Sequence, residues 1–430
     1  MARTTHAEVF GPHTEVPPQN RLTAVGASGP ASIAESRAAI AIEELRSIAD
    51  VDANEWDRMA GESALWSHGL LSTMEETTIT GHAARYFLAR KNLELAGAIV
   101  CHLEESSNGD GAVPVGGHRL DKMMLGKFAK FARYSRIVTF PCLMCGTQLS
   151  TRDPLVIRGG TSAAESGRIA DALVEAIEQT AQREGWTVCF REVPREGSPL
   201  GAALTKRGYL RGAELPTACL ELDPEWHSFD SYRQSLKKQH PHTAKTILSE
   251  VKRAKKAGLV IERIDDPAPH KEALHRLMEA HNTTHNGKPW PFRAEFFEEF
   301  KARMGNRAEI HGAKLDGRWV GVAVNTQGSG DVVGSMIGID TEANRSAAVY
   351  FNLAYNHLIA ESIASGRRRI YYGTLLWDLK ARRGCGAREA DFYLKGKTRL
   401  QQALLGPLVR VRSAKHDEIS APLRKRALQR

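Results

Sequence analysis

The sequence predicts an α/β protein built from a duplicated unit, and three features carry that expectation. One is the pattern YFNLAYNHLIAESIASG from Tyr350, where Phe351, Ala354, Tyr355, Leu358 and Ile359 share a helical face and Gly366 stops the helix. After it come a strand in RRRIYYG, a polar loop carrying Trp377, Asp378 and Lys380, and a turn at Arg383-Gly384. The same order occurs earlier: a helix buried along Ile169, Ala172, Leu173, Ala176 and Ile177, the strand WTVCFREV, and a turn at Arg207-Gly208.

The elements follow in order. Residues 1–38 hold Pro17, Pro18 and Pro30 without an apolar period and read as a disordered leader. IAIEELRSI is a first strand, DANEWDRMA has helix-start chemistry at Asp52, and RYFLARKNLELAGAIVCHLEE is two strands joined near Lys91 and Asn92. SSNGDGAVPVGGH is a loop; LVIRGG is a strand before the first long helix, which Gly185 ends. In the second half, HGAKLDGRWVGVAVNTQ is a hairpin turning at Asp316-Gly317, and DVVGSMIGID is a further strand. The units are placed at 39–222 and 223–412, with a basic helical insertion at 231–258 and a basic tail at 413–430.

At 430 residues the chain exceeds the roughly 150 residues of one ordinary domain. No apolar run approaches the ~20 residues that span a bilayer, and MARTTHAEVF lacks the layout of a secretion signal, so a cytoplasmic protein without a membrane span is expected. Six cysteines are too few for a disulfide scaffold; Cys142 and Cys145 form a CxxC without a second pair and are expected to be buried thiols. The net charge of +9 points to an anionic partner. Residues 231–258 concentrate it, with eight lysines or arginines against one acid, Glu250. At helical spacing Ala244, Ile247, Leu248, Val251 and Ala254 form the packing face, and Lys245, Lys252 and Lys256 lie in a stripe away from it. That stripe is either a solvated face or an anion-binding surface for phosphates or RNA.

The hairpin LDGRWVGVAV, the strand and helix after it, and SLKKQHPHTAKTILSEVKRAKKAGLVIERI together resemble the GNAT acyltransferase superfamily. More narrowly they are similar to its tandem branch, the Fem-type aminoacyl-tRNA-dependent ligases and the related peptidoglycan biosynthesis/recognition acyltransferases. The branch's basic opening of its second domain is matched from Ser235 to Gly258, and its lysine followed by an Arg-Gly turn by Lys380 and Arg383-Gly384; the resemblance covers roughly residues 40–412. It implies two tandem GNAT-like domains, each a mixed twisted sheet flanked by helices, and a transferase that forms an amide bond from an activated acyl group and an amine. Positioning and stabilisation of the oxyanion then do most of the work, with a base to remove the amine proton. No resident cofactor is expected. The donor is a co-substrate: aminoacyl-tRNA is favoured, and acyl-CoA or an acyl carrier protein is the alternative. The glycine loop that cradles a CoA pyrophosphate is missing, since TEANRS at 341–346 has no glycine and RGGTSAAES at 158–166 has two at the wrong spacing. The acceptor is an amine on a small molecule, a peptide-like natural product or a cell-wall precursor. A catalytically silent fold that binds RNA or a protein partner is the reading from another class.

Asp378 is the first candidate for base or amine-orienting group, or it is a surface carboxylate paired with Lys380 or Arg383. Those two cations hold a donor phosphate or ester, or brace the turn. Trp377 is a stacking platform or packs, and Tyr372 lies on the strand before it. Tyr393 is an acid for the leaving group, or a core tyrosine. His285, Asn286 and Trp290, in HNGKPWPF, form an acceptor wall or a helix connection. Asn344 and Arg345 begin the long helix, where N–H groups favour an anion, or they cap it. With Lys245, Lys252 and Lys256 they make the donor-binding set. His281 and His285, four apart, have no third ligand, and no metal is expected.

Overall fold

The computed structural model describes residues 39–79, 83–104, 140–147 and 152–427. The expected leader, the glycine-rich loop at 106–118 and the last three residues lie outside them.

The first half runs β1 (Ile40–Leu45), β2 (Ala84–Lys91), β3 (Glu94–Glu104), β4 (Cys142–Cys145), β5 (Leu155–Ile157), β6 (Thr187–Pro194), β7 (Leu210–Ala213) and β8 (Thr217–Glu221). The second runs β9 (Val260–Arg263), β10 (Ala308–Leu315), β11 (Arg318–Gln327), β12 (Asp331–Ile339), β13 (Arg369–Tyr371), β14 (Gly386–Arg388) and β15 (Ala390–Lys395). Both predicted hairpins turn through the left-handed region: Asp316 and Gly317 take φ 49° and 76°, residues that suit it, while Asn92 and Leu93 take 52° and 68°, a conformation that asparagine tolerates and leucine does not favour.

Two mixed sheets result, ordered β1-β2-β3-β4-β6-β15-β7 (with β5 on β3) and β14-β8-β13-β12-β11-β10-β9. β8 and β15 have changed places. β8 pairs with β13 and β14 in the second sheet, and β15 inserts between β6 and β7 in the first. A cut at 222/223 therefore separates the sequence repeats but not the sheets, because each half completes the other's hydrogen-bond ladder.

Helix Ala163–Glu184, capped by Ser162 and stopped by Gly185 in the left-handed region, buries Ile169, Leu173 and Ile177 against Phe87, Ile99 and Phe190 of the first sheet. Each such side chain contributes about 1.5–3 kcal/mol. Helices Ala53–Ala60 and His68–Thr77 cover the other face around Trp56. The expected basic tail is instead part of a helix, Arg399–Ala427. Leu405, Leu408 and Val409 pack on Phe392 of β15, and Arg412, His416 and Ser420 are buried.

On one face of the second sheet lie helices Lys271–Asn286 and Phe296–Met304, which also meet Leu65 and Leu70 of the first half. The connection between these helices is stitched to the end of helix His68–Thr77, with Ile79 N donating to Pro291 O (2.8 Å) and Arg293 N to Thr77 O (2.9 Å). On the other face lie helices Phe229–Gln239 and Pro241–Lys256 and a helical stretch made of Val349–Phe351, a π turn over Asn352–His357, and Leu358–Ala364. The predicted basic insertion is thus two helices, parted where Pro241 opens the second. The Trp377 loop is a short helix, Trp377–Arg382.

Candidate functional site

β12 and β13 run parallel and pair only at Asp331–Val333 with Arg369–Tyr371. Two residues further, Ser335 of β12 is passed over in the register with β11, since Val324 faces Met336 and Asn325 faces Gly334. Such a bulge bends the strand, and it sits where β12 parts from β13. Gly334–Ile337, half-buried, border the opening on one side, and Tyr372–Leu376 on the other, with Leu375 and Leu376 exposed. Among the described strands β12 has no partner on that side beyond Val333, which leaves backbone donors facing the gap.

Lys380 is buried below that edge. Its Nζ donates to the carbonyls of Tyr372 (2.5 Å) and Gly373 (3.2 Å), and burial pushes its pKa down to about 8. Tyr372 stacks near Tyr355, ring centroids 4.8 Å apart. Its phenol, pushed up by burial, is enclosed with no hydrogen-bond partner among the described residues.

Arg383 is 1% exposed and makes a bidentate pair with Glu250 at 2.7 and 2.8 Å. It braces the turn, its guanidinium committed to Glu250. The inward residue of helix Pro241–Lys256 is Glu250, while Val251, expected on the packing face, is exposed. Lys245, Lys252 and Lys256 point outward without an acidic partner among the described residues.

The other candidates scatter. Asp378 is exposed and paired with Arg382, one turn along its helix. Trp377 is buried against Leu215, Ala381 and Ile419, with Nε1 donating to Pro216 O (3.3 Å), so it offers no open ring face. Tyr393 lies on β15 in the core of the first sheet, so the exchange of strands carries it to the other sheet from Asp378. Trp290 is packed among Phe292, Phe296 and Phe297 and belongs to the helix connection, not to a pocket wall. His285 is exposed near His281, and Asn286 ends the same helix. Asn344 and Arg345 sit inside a separate helix, Thr341–Ala347, whose first N–H groups are taken by the Asp340 carboxylate (3.0 and 2.9 Å). The anion seat expected there is filled by the chain itself. Asn344 Oδ1 instead accepts from Tyr350 N (2.8 Å).

A cavity of about 270 Å³ in the first half was not foreseen. Helix His68–Thr77 supplies Leu71, Met74 and Glu75 at its wall, with Thr78 just past its end; β2 and β3 supply Tyr86, Val100 and His102, and Arg46 and Gly146 border it. Glu75 accepts from Ser47 Oγ (2.8 Å), Ile48 N (2.9 Å) and the Tyr86 hydroxyl, whose pKa is raised by burial and by that carboxylate. His102 Nδ1 lies 2.9 Å from Gly146 O. These residues come from separate segments with no shared spacing, so no sequence signal marks them. An open groove of about 550 Å³ lies at the RGGT loop, where Lys91 and Arg158 are already paired with Glu165 and Glu94 (both 2.5 Å). Cys142 and Cys145, three apart on β4, are buried on opposite faces.

A family model described as peptidoglycan biosynthesis/recognition, FemAB-like, matches residues 47–426. Among solved structures the chain is similar to FemX, at 12% identity over 85% of this chain and 100% of that one, with a TM-score of 0.51. It is also similar to a tandem GNAT protein from the clavulanic acid biosynthesis pathway (13%, 83% and 99%, TM-score 0.44) and to L-PGS from Bacillus licheniformis (10%, 80% and 97%, TM-score 0.47). No curated protein sequence matches. At these identities the structural likeness concerns the fold alone. Among the described residues no helix is long and apolar enough to cross a membrane.

Proposed function

Because the chain belongs to the FemAB-like peptidoglycan biosynthesis/recognition family and has the tandem acyltransferase fold, we propose that it transfers an aminoacyl group from tRNA to the amine of a peptide-like or cell-wall precursor. The observation that carries the choice of donor is the outer face of the two basic helices. Lys237, Lys238, Lys245, Lys252, Arg253, Lys255 and Lys256 are exposed there; Glu250 is turned inward, and Asp230, at the start of the first helix, is paired with Arg233. A face so rich in cations suits a polyphosphate backbone.

The two faces of the second sheet take the two substrates. The donor approaches from the basic-helix side, and its ester carbonyl enters the gap between β12 and β13. The acceptor approaches from the side shared with the first half, where the 270 Å³ cavity holds part of it. The amine nitrogen attacks the ester carbon, and the oxyanion is met by backbone N–H groups of the bulged stretch of β12. Lys380, with two of its three protons committed to carbonyls, keeps one donor for the anionic group. The carbon–oxygen bond to the ribose then breaks, the amine proton leaves to a base, and the ribose oxygen takes a proton. His102 lines the cavity with both ring nitrogens against acceptors, Nδ1 at 2.9 Å from Gly146 O and Nε2 at 3.4 Å from Glu104 Oε1.

The test is transfer of a labelled amino acid from charged tRNA to candidate amines, with and without ribonuclease. Product that ribonuclease abolishes supports the reading. Product formed from CoA thioesters, together with a clear thermal stabilisation by them, would replace it with an ordinary N-acyltransferase.

A further inference from the structure

We propose that Glu250, through Arg383 and two asparagines of the π turn, is the positioning residue that holds the Lys380 amine under the edge of β13. This rests on reading Lys380 as a substrate-contacting group at the gap. The ion pair is placed to do it. Arg383 ends the short helix that carries Lys380, its N–H donates to the Lys380 carbonyl (3.0 Å), and Cys385 N donates to the same oxygen (3.0 Å). A guanidinium fixed in space therefore fixes the turn from which Lys380 reaches back.

The clamp closes from several directions. Arg383 Nη2 holds both oxygens of Glu250, and Nη1 donates to Asn356 Oδ1 (3.3 Å). Asn356 Nδ2 donates to Glu250 Oε2 (3.2 Å) and Asn352 Oδ1 (3.1 Å), and Asn352 Nδ2 donates to the Glu250 carbonyl (3.1 Å). The guanidinium lies 5.4 Å and 5.0 Å from the ring centres of Phe351 and Tyr355. A second tether, Tyr232 O–H to Arg383 O (2.9 Å), comes from helix Phe229–Gln239. Asn352 and Asn356, four apart on one face of the π turn, both reach inward to Glu250. Buried ion pairs contribute little net stability and are frequently replaceable by apolar groups, so a network this densely bonded is better explained by the position it enforces.

The groups around Lys380 are Cys385 and Tyr372, with Tyr232, Tyr355 and the neutralised Arg383–Glu250 pair behind them. The test is competitive trace acetylation of the intact protein with acetic anhydride, read at Lys380 by mass spectrometry across pH. The wild type should label with a midpoint near about 8. The charge-balanced double variant Glu250→Leu/Arg383→Met removes the clamp without stranding a charge. Its midpoint should rise by more than about one unit toward the ordinary lysine value of ~10.4, because the freed amine becomes hydrated. Tyr232→Phe, which loses a single hydrogen bond, should shift it the same way by less. A midpoint unchanged in the folded double variant would show the pair to be merely structural and overturn the proposal. If that variant does not fold, an unchanged midpoint in both Tyr232→Phe and Asn356→Ala does so instead. The readout needs neither tRNA nor acceptor, so failure of the functional reading and failure of this one are separate results.

Discussion

His311 provides a prediction with a definite sign. It lies on β10, 4% exposed, its ring 4.7 Å from that of His357 in the π turn. Burial, then the neighbouring His357, Arg263 and Arg367, pushes its pKa down to about 3. The native state therefore keeps this imidazole neutral, while the unfolded chain takes up a proton below about 6.5. The stability it permits is present above pH 6.5 and is lost as pH falls toward 3. At pH 5 the unfolded state has gained about 1.5 units of protonation free energy that the native state has not, roughly 2 kcal/mol. Whole-protein melting curves do not isolate this. Glu192 is buried with its pKa raised to about 8, and Asp153 with its pKa raised to about 7, so both favour the native state on acidification. The difference between wild type and His311→Gln isolates it, since the opposing groups cancel. Urea unfolding at pH 7.5 and pH 5 should show the variant's pH dependence changed by about 2 kcal/mol in the direction of acid resistance. Identical pH dependence in both proteins would refute the assignment of a buried neutral histidine.

Other outcomes follow from the same geometry. Lys380→Met should lower transfer by roughly 100-fold, as loss of one donor at a developing anion does, whereas Asp378→Asn should leave turnover within about twofold; steady-state rates decide. Replacing Lys245, Lys252 and Lys256 with alanine should weaken tRNA binding and reduce its dependence on log salt by about 0.7–0.9 for each phosphate no longer neutralised, measured by filter binding. A salt slope equal to wild type would remove the basic helices from the donor site. Gly338→Ala places a Cβ 2.6 Å from Met278 N and 2.7 Å from Leu277 C, backbone that cannot yield cheaply. Urea unfolding should show a loss of about 1–3 kcal/mol as helix Lys271–Asn286 is pushed off β12.

What the sequence makes legible is local. Hairpins with left-handed residues at their turns, helices with a period and a terminal glycine, and the repeated order of elements all appear where expected, because each is encoded within a few residues. Strand pairing is not encoded that way. Nothing in TACLE or ADFYLK states which sheet they join, so the exchange of β8 and β15, and with it the removal of Tyr393 from the neighbourhood of Asp378, is decided by tertiary packing. Helical spacing places both Glu250 and Val251 near the edge of the packing face. Hydropathy alone favours the valine, and only the buried Arg383 that needs a carboxylate reverses the choice. For Trp377 and Trp290 the sequence leaves packing and a substrate-facing role both open, and only the structure, where both are buried and indole area has more to gain, selects packing.

The most direct measurement is the fate of an ester-linked amino acid on tRNA. With purified protein and an amine acceptor of the right class, the label should move from tRNA into an amide, ribonuclease should prevent it, and Lys380→Met should nearly abolish it. Label that remains on tRNA with every acceptor while a CoA thioester serves as donor would contradict the choice of substrate that the cationic helices support.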